Sequence, residues 1–360
     1  MPTIEAPPDR PVTVFDIGGT YVRRGRWRPR DPDRLHEYSK RPSPTLRLHP
    51  GSTVGELRVR LVRDLCEAVP IEPDAVAGIS FGAALDHRTG TVYASAPMWG
   101  PHDDAFDLRG ALSQGRPDVQ WHIVNDVTAA LLHYASTDAC RDRRKVLLTT
   151  VSTGIACRTI DRSTGEIPVD GCGLQGEIGH LPSRAAIEGK AVDLPCDCGA
   201  PDHVASFSSG PGLQRMAEVT RERNPEGWKR SALSAGLDRG DGFESALRRA
   251  LDSGDAVAGA LLAAAARPLA EVLTAALCLD PTIDRVALTG GVATGLGDHY
   301  RRSLVDRILN AGPYLTGKRA PEWIEERVVL CRADEANGLI GAGLAALSGA
   351  ARVSAEERST

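Results

Sequence analysis

The segment from residue 171 to residue 203 concentrates side chains that can bind a metal ion. Cys196 and Cys198 are separated by one residue, and a histidine lies on each side of the pair, His180 before it and His203 after it. Thiolate sulfur and imidazole nitrogen are the ligands that tetrahedral zinc prefers. The glycines of the segment allow the backbone to turn tightly around such an ion. These four side chains are therefore candidate zinc ligands.

Glu177 makes this segment more than a metal-binding turn. It lies three residues before His180, so its carboxylate could face a ligand while the metal fixes the loop that carries it. We expect the metal to shape a binding site and to take no part in the chemistry.

A glycine turn near the start of the chain is suited to phosphate binding. A short apolar strand ends at Asp16, and a second strand begins soon after Thr20. Gly18 and Gly19 would let main-chain amides approach a phosphate, and Thr20 could add a hydroxyl. Asp16 could hold a magnesium ion through water. The alternative is an ordinary hairpin with a glycine turn, capped by the aspartate.

Asn125 and Asp126 lie where a predicted strand over 121–124 meets a predicted helix over 127–135. Open α/β sheets bind ligands at the carboxyl ends of their strands, which places both side chains well for chemistry. The alternative for Asp126 is a helix N-cap, a role that aspartate often fills.

Two further turns of small residues follow predicted strands. The strand over 145–151 leads to Thr153 and Gly154, and a later strand leads to Gly290 and Gly291. The first two turns each lie between two strands. This repetition suggests two related α/β lobes that bind one nucleotide.

Composition and periodicity predict the character of the remaining segments. Residues 28–50 are rich in proline, arginine and histidine and indicate an irregular excursion. Residues 335–348 have the small-residue pattern of a closely packed helix. The N-terminal residues 1–10 and the C-terminal residues 349–360 are expected to be loose or disordered tails.

Length and composition exclude several classes of protein. A chain of 360 residues favours about two domains. The net charge of -4, with scattered arginines, gives no basic face for a nucleic acid. The most apolar window, 256–279, contains Arg267 and Pro268, which favours a buried amphipathic helix and no membrane anchor. The isolated cysteines indicate a reduced, cytoplasmic protein; they are Cys66, Cys140, Cys157, Cys278 and Cys331.

Several of these motifs occur in the order typical of the ROK family of sugar kinases and repressors, and the sequence resembles that family from about residue 11 to residue 348. The motifs are Asp16-Ile17-Gly18-Gly19-Thr20, Asn125-Asp126, the Ser-Thr-Gly turn, Gly176-Glu177-Ile178-Gly179-His180, Cys196-x-Cys198-Gly199, and Asp280-Pro281 followed by Gly290-Gly291. The resemblance implies an α/β protein of the actin-like, hexokinase-like fold, with two RNase H-like lobes and a cleft between them. The smaller lobe would span 1–135 with helix 335–348, and the larger lobe, with the zinc loop, would span 136–334.

The resemblance also implies roles for individual residues. Asp126 matches the general base, and Asn125 and Glu177 match residues that bind sugar hydroxyls. His180 matches a zinc ligand whose second ring nitrogen can face the sugar, and Gly82 lies where the family has a proline–glycine pair beside the substrate. The residues expected to bind ATP and Mg²⁺ are Asp16, Gly18, Gly19, Thr20, Thr153, Gly154, Gly290 and Gly291.

Departures from the family pattern lie mainly on the substrate side. His203 replaces a zinc-binding cysteine, so either the structural Zn²⁺ is kept with His203 as ligand or the turn is held by hydrogen bonds. Ala205 replaces a glutamate that binds the sugar near its anomeric hydroxyl. Ser152 and Ala156 replace glycines of the second turn. We therefore expect an ATP-dependent kinase that phosphorylates a primary hydroxyl of an unusual substrate.

A C7-cyclitol of the valienol or valiolone type fits this expectation, because a cyclitol has no anomeric centre. The alternatives are glucose or another hexose or amino sugar, and a sugar-binding protein without turnover. A repressor is not expected, because only about fifteen residues precede Asp16, too few for a helix-turn-helix module. The resemblance further implies a homodimer and no nucleic-acid partner.

Overall fold

The structure is a computed structural model that describes residues 10–356. It divides into two compact units. Within the described residues, unit 1 contains 10–139, 169–175 and 335–356, and unit 2 contains 140–168 and 176–334. The division expected from the sequence lay at residue 135, and it assigned 169–175 to the larger lobe.

Unit 1 is built around a five-stranded sheet with the order β3-β2-β1-β4-β8. All the strands of unit 1, inside and outside this sheet, are β1 (Val12–Ile17), β2 (Tyr21–Arg28), β3 (Asp31–Pro42), β4 (Ala75–Phe81), β5 (Ala84–Asp86), β6 (Thr91–Ala94), β7 (Phe106–Asp107) and β8 (Val119–Asn125). Its first four helices are α1 (Val54–Ala68), α2 (Ala96–Trp99), α3 (Leu108–Gly115) and α4 (Asp126–Ser136). Strands β1, β4 and β8 are parallel, so their carboxyl ends meet at one edge of the sheet.

The predicted hairpin of β1 and β2 is confirmed, since the two strands pair antiparallel from Val12 to Ile17. The interpretation of residues 28–50 as irregular was wrong for residues 31–42, because strand β3 extends the hairpin over these twelve residues, and it is confirmed for 43–50, which contain no helix or strand. Most side chains of β3 are exposed or only half-buried, as expected for a strand at a sheet edge. Such a strand lacks the apolar alternation by which strands are identified from sequence.

Unit 2 contains a four-stranded sheet with the order β10-β9-β13-β14. All the strands of unit 2, inside and outside this sheet, are β9 (Lys145–Val151), β10 (Ile155–Asp161), β11 (Ala185–Ile187), β12 (Lys190–Val192), β13 (Arg285–Thr289) and β14 (Val328–Leu330). Its helices are α5 (Val204–Ser208), α6 (Gly210–Arg223), α7 (Pro225–Arg230), α8 (Ala232–Asp238), α9 (Phe243–Asp252), α10 (Ala256–Leu279), α11 (Gly291–Leu296), α12 (Asp298–Ala311), α13 (Thr316–Arg319) and α14 (Glu322–Glu325).

The two units repeat one pattern, a hairpin followed by parallel strands. In unit 2, β9 and β10 form the antiparallel hairpin, and β13 pairs parallel with β9. In unit 1, β1 and β2 form the hairpin, and β4 pairs parallel with β1. The carboxyl end of the first strand therefore leads into a small-residue turn in each unit.

Helix α10 is the one helix of the described chain that is long and apolar enough to cross a bilayer. Half of its most apolar window is buried inside the protein. Buried side chains such as Leu262 and Leu269 belong to the main core of unit 2. Arg267 pairs with Glu271 on the outer side at 2.7 Å. These contacts are those of the core helix predicted from the sequence.

Helix α15 (Gly338–Glu356) completes unit 1. Ala342 and Ala346 pack on Val12, Val14 and Trp27 of the sheet. The disordered tail expected from residue 349 was wrong up to Glu356, because the helix continues to that residue. Residues 350–356 have good helix propensity and contain no proline. Residues 357–360, and the N-terminal tail expected over 1–9, lie outside the described residues.

Candidate functional site

Asp16 ends β1 with its carboxylate held by two side chains. Oδ1 accepts a hydrogen bond from the Ser80 hydroxyl at 2.8 Å, and Oδ2 pairs with the Arg23 guanidinium at 2.6 Å. Gly338, at the start of α15, leaves no room for a side chain, since a Cβ there would lie 2.8 Å from Oδ1. The carboxylate is 19% exposed, so it still reaches solvent at the carboxyl edge of the sheet.

The first glycine turn follows directly. Gly18 N–H donates to the Tyr21 carbonyl at 3.1 Å, and the Ser43 hydroxyl donates to the Gly18 carbonyl at 2.5 Å. A Cβ on Gly19 would lie 2.5 Å from the Cβ of Pro97, so only glycine fits there. Thr20 is exposed. The turn is fixed by its neighbours while its surface remains open.

Asn125 is the N-cap of α4. The sequence had offered its neighbour Asp126 as the alternative for this position. Its Oδ1 accepts from Val127 N–H at 2.9 Å and from Thr128 N–H at 3.4 Å, and its Nδ2 donates to the Ala83 carbonyl at 2.9 Å. Asp126 is the first helical residue, and its Oδ1 accepts from the same Val127 N–H at 2.9 Å. Asn125 is therefore the N-cap residue, but Asp126 also helps to satisfy the first amides of the helix, with its Oδ2 lying on the side of Gly82.

Gly82 lies beside Asp126 at the end of β4. A Cβ on Gly82 would lie 3.4 Å from Oδ2 of Asp126, and the Gly82 amide donates to the Ile17 carbonyl at 2.8 Å. Asp16, the first glycine turn, Gly82, Asn125 and Asp126 thus occupy the carboxyl ends of three adjacent parallel strands within unit 1.

The second and third small-residue turns meet within unit 2. Gly290 has φ +93°, and a Cβ there would lie 2.5 Å from the Val151 carbonyl oxygen. Ser152 N–H donates to the Gly154 carbonyl at 2.9 Å, and the Ser152 carbonyl accepts from Gly210 N–H at 2.8 Å. A Cβ on Gly154 would meet no atom within 4 Å. Thr153, Gly154 and Gly291 therefore belong to one surface at the ends of β9 and β13.

The backbone on either side of Glu177 lies against β10. Cys157 N–H donates to the Gly176 carbonyl at 2.8 Å, and a Cβ on Gly176 would lie 2.7 Å from the Cys157 sulfur. Burial raises the pKa of the Cys157 thiol to about 11, so it stays neutral. Glu177 Oε1 accepts from Arg158 at 2.8 Å. Sequence reasoning missed Arg158, because an arginine inside a strand gives no local sign of its partner.

The four candidate metal ligands converge. One ligand atom from each of His180, Cys196, Cys198 and His203 lies within 4.8 Å of all the others. The Cys198 sulfur is 3.3 Å from Nδ1 of His203, and the Cys196 sulfur is 4.0 Å from Nδ1 of His180. Zinc bonds of about 2.0 to 2.3 Å give a tetrahedron with edges of about 3.3 to 3.8 Å. The donor set suits zinc, and the cluster is wider than such a tetrahedron by about 1 Å or less, so the side chains would close slightly around an ion.

Ala205 lies in the first turn of α5, two residues after His203. It is half-buried, and its carbonyl accepts from the Ser209 hydroxyl at 2.6 Å. Among the predicted site residues, Glu177, His180 and the turns at 153–154 and 290–291 belong to unit 2, whereas Asp16, Gly82, Asn125 and Asp126 belong to unit 1.

Comparison with known proteins places these features in a family. The chain matches the ROK family over residues 16–348. It is 50% identical over 345 residues to a 2-epi-5-epi-valiolone 7-kinase of Actinoplanes sp., covering 96% of this chain and 95% of that protein. It is 28% identical to a C(7)-cyclitol 7-kinase of Streptomyces hygroscopicus subsp. limoneus, with 84% of each chain covered.

A solved structure shows the fold independently. The ROK family glucokinase of Streptomyces griseus, in complex with glucose and AMPPNP, aligns with a TM-score of 0.66 at 21% identity. The alignment covers 94% of this chain and all of that chain (100%). The expected hexokinase-like α/β fold is therefore confirmed. On the family match and the 50% identity together, the chain belongs to the ROK family.

Proposed function

We propose that this protein is an ATP-dependent kinase that transfers a phosphoryl group to the C7 hydroxyl of a C7-cyclitol, with 2-epi-5-epi-valiolone as its preferred substrate. The observation that carries the proposal is the 50% identity to a 2-epi-5-epi-valiolone 7-kinase along nearly the whole chain. Ala205 supports it independently, since a glutamate there would suit the anomeric hydroxyl of a hexose.

Asp126 acts as the general base. The C7 oxygen attacks the γ-phosphorus of ATP, the bond between that phosphorus and the ADP oxygen breaks, and the hydroxyl proton passes to the Asp126 carboxylate. Phosphoryl transfer mainly needs the hydroxyl to be held in line, and base assistance is worth about 10² to 10⁴ in rate. The first turn of α4 carries the helix's positive partial charge, and a carboxylate is favourably placed there.

Asn125 orients the substrate with the one amide N–H that no protein group among residues 10–356 uses. Its Oδ1 is used by the cap of α4, and one N–H is used by the Ala83 carbonyl. The second N–H of Nδ2 can donate to a cyclitol hydroxyl. Glu177 accepts another hydroxyl, and the open Gly82 surface lets the ring approach Asp126.

The three small-residue turns hold ATP. Main-chain amides at Gly19 and Gly154 and the hydroxyls of Thr20 and Thr153 contact phosphate oxygens, while Gly18, whose amide donates to the Tyr21 carbonyl, shapes the turn. Gly290 and Gly291 contact the adenosine. Asp16 is suited to Mg²⁺, because its carboxylate sits at the edge of the sheet and remains partly exposed. When bound, Mg²⁺ neutralises charge on the transferred phosphate.

His180, Cys196, Cys198 and His203 hold a structural Zn²⁺. His180 presents Nδ1 to Cys196, which leaves Nε2 to face the substrate. The ion supplies rigidity to the loop that carries Glu177 and His180.

A hexose kinase is the second candidate, because the fold is shared with a glucokinase. An ADP-release assay across a panel of C7-cyclitols and hexoses separates the two. Turnover of 2-epi-5-epi-valiolone is expected, and turnover of glucose with no cyclitol turned over would overturn the proposal. We further propose that the protein is cytoplasmic, in keeping with eight free cysteines. We also propose a homodimer, which the resemblance to the family implies; sedimentation at the mass of one 38.3 kDa chain would contradict it.

A further inference from the structure

Arg158 is a buried cation on the edge strand β10. Its side chain is 4% exposed. Nη1 donates to the Cys157 carbonyl at 2.8 Å, and Nη2 donates to Oε1 of Glu177 at 2.8 Å. A buried guanidinium is costly unless acceptors and an opposite charge surround it. Glu177 supplies that charge.

The backbone next to Glu177 is fixed by close contacts. These backbone contacts alone do not fix the Glu177 side chain. Gly176 is hydrogen-bonded to Cys157, and Gly179 lies against the Ile155 carbonyl with no space for a Cβ. A glutamate side chain still rotates about three bonds, and holding it in one rotamer costs entropy. A charge-assisted hydrogen bond from a buried, immobile guanidinium restricts that rotation.

The ion pair leaves the carboxylate available to a ligand. Glu177 remains 36% exposed although Arg158 is almost fully buried. A carboxylate has about four acceptor positions, of which Arg158 uses one on Oε1. The arginine therefore lies on the protein side of the carboxylate, and the other side is open.

We propose that Arg158 is a positioning residue for the cyclitol, which acts by holding the Glu177 carboxylate in the orientation that accepts a substrate hydroxyl. The proposal rests on the proposed function and adds a residue to it. Arg158 itself contacts no substrate. Its effect is therefore confined to substrate binding through Glu177 and leaves ATP binding unchanged.

A purely structural ion pair would behave differently. Removing Arg158 would then lower the stability of unit 2 and impair both substrates, whether or not Glu177 were present. A double-mutant cycle separates the two roles, since residues that act as one unit are not additive.

The experiment uses Arg158→Met, Arg158→Lys, Glu177→Gln and the double variant Arg158→Met/Glu177→Gln. Methionine retains much of the arginine's apolar volume, and glutamine retains an acceptor for the guanidinium. Arg267→Met is the control for an arginine–glutamate pair elsewhere in unit 2; that pair is more exposed, and Glu271 keeps Arg307 as a second partner. For each protein, kcat, the KM for the cyclitol and the KM for ATP are measured, along with AMPPNP binding and thermal unfolding.

Arg158→Met is expected to raise the cyclitol KM tenfold to a hundredfold and to leave the ATP KM within twofold. The double variant should be no worse than Glu177→Gln alone, and Arg267→Met should match the wild type. Effects of the two substitutions that multiply, or an equal rise in both KM values, would overturn the proposal. If Arg158→Met fails to bind AMPPNP, the same cycle with Arg158→Lys decides. A wild-type enzyme that turns over no cyclitol would overturn the proposed function. That result is distinct from the outcomes above, which test only the role of Arg158.

Discussion

Asn125 caps helix α4, and Asp126 begins it. Oδ1 of each residue accepts from Val127 N–H at 2.9 Å, but only Asn125 stands at the N-cap position and also accepts from Thr128 N–H. Both side chains thus secure the junction between strand and helix. The aspartate additionally presents Oδ2 on the side of Gly82, where it can serve the reaction.

Asp126→Asn should lower kcat by about 10² to 10⁴, because the amide cannot take the hydroxyl proton. Cyclitol binding, measured by calorimetry with AMPPNP present, should change by less than about threefold. Asp118→Asn is the matched control. Asp118 lies directly before β8, at the end of that strand opposite to Asp126, and pairs with Arg116. An Asp126→Asn protein with full turnover would remove the base assignment.

Ala205→Glu should shift specificity towards hexoses. A carboxylate at this position in α5 would offer an acceptor to an anomeric hydroxyl, and a cyclitol lacks that hydroxyl. We expect kcat/KM for glucose to rise tenfold or more while kcat/KM for the cyclitol falls. Ala205→Gln, of similar size but uncharged, should gain less. An equal loss with both substrates would show that Ala205 does not set specificity.

Metal analysis should find about one zinc per chain. Cys198→Ser should lose most of the metal and unfold at a lower temperature, because the proposed ion would hold the loop 196–203 through this thiolate. His203→Cys should keep the metal, since thiolate is an equally good zinc ligand. A wild type that is stable and free of metal would leave the turn to hydrogen bonds alone.

His122 should make the protein less stable in mild acid. Burial, with a smaller contribution from Arg109, lowers its pKa to about 4 from 6.5. Below about pH 6.5 His122 therefore binds a proton in the unfolded chain, whereas in the folded chain it stays neutral until the pH approaches 4. The free energy of unfolding consequently falls as the pH falls from about 6.5 towards 4.

The slope from this one group is at most about 1.4 kcal/mol per pH unit. His122→Gln should flatten the denaturant-midpoint profile over that range, and the exposed His102→Gln should not. Identical profiles for both variants and the wild type would refute the role of His122.

Elements whose apolar spacing matches their structure were predictable. The strand from Lys145 and the helix from Ala256 begin where the sequence placed them, because their cores are continuous apolar runs. Strand β3 could not be predicted, since its polar side chains are stabilised only by pairing with β2. The same limit applies to the site.

The glycine turns and the candidate metal ligands carry local signatures, so a prediction of their chemistry could be made from spacing. Arg158 and Glu177 are nineteen residues apart and meet only because segment 176–180 folds back on β10. Likewise, sequence alone could not decide between Asn125 and Asp126 as the cap, because either side chain can accept from the first amides of a helix.

The central claim is the preference for a C7-cyclitol, and a competition assay tests it most directly. The wild-type enzyme receives equal concentrations of 2-epi-5-epi-valiolone and glucose with limiting ATP and Mg²⁺, and the phosphorylated products are measured by mass spectrometry and NMR. We predict that nearly all the phosphate appears on the C7 oxygen of the cyclitol. Glucose phosphate as the main product would contradict the account.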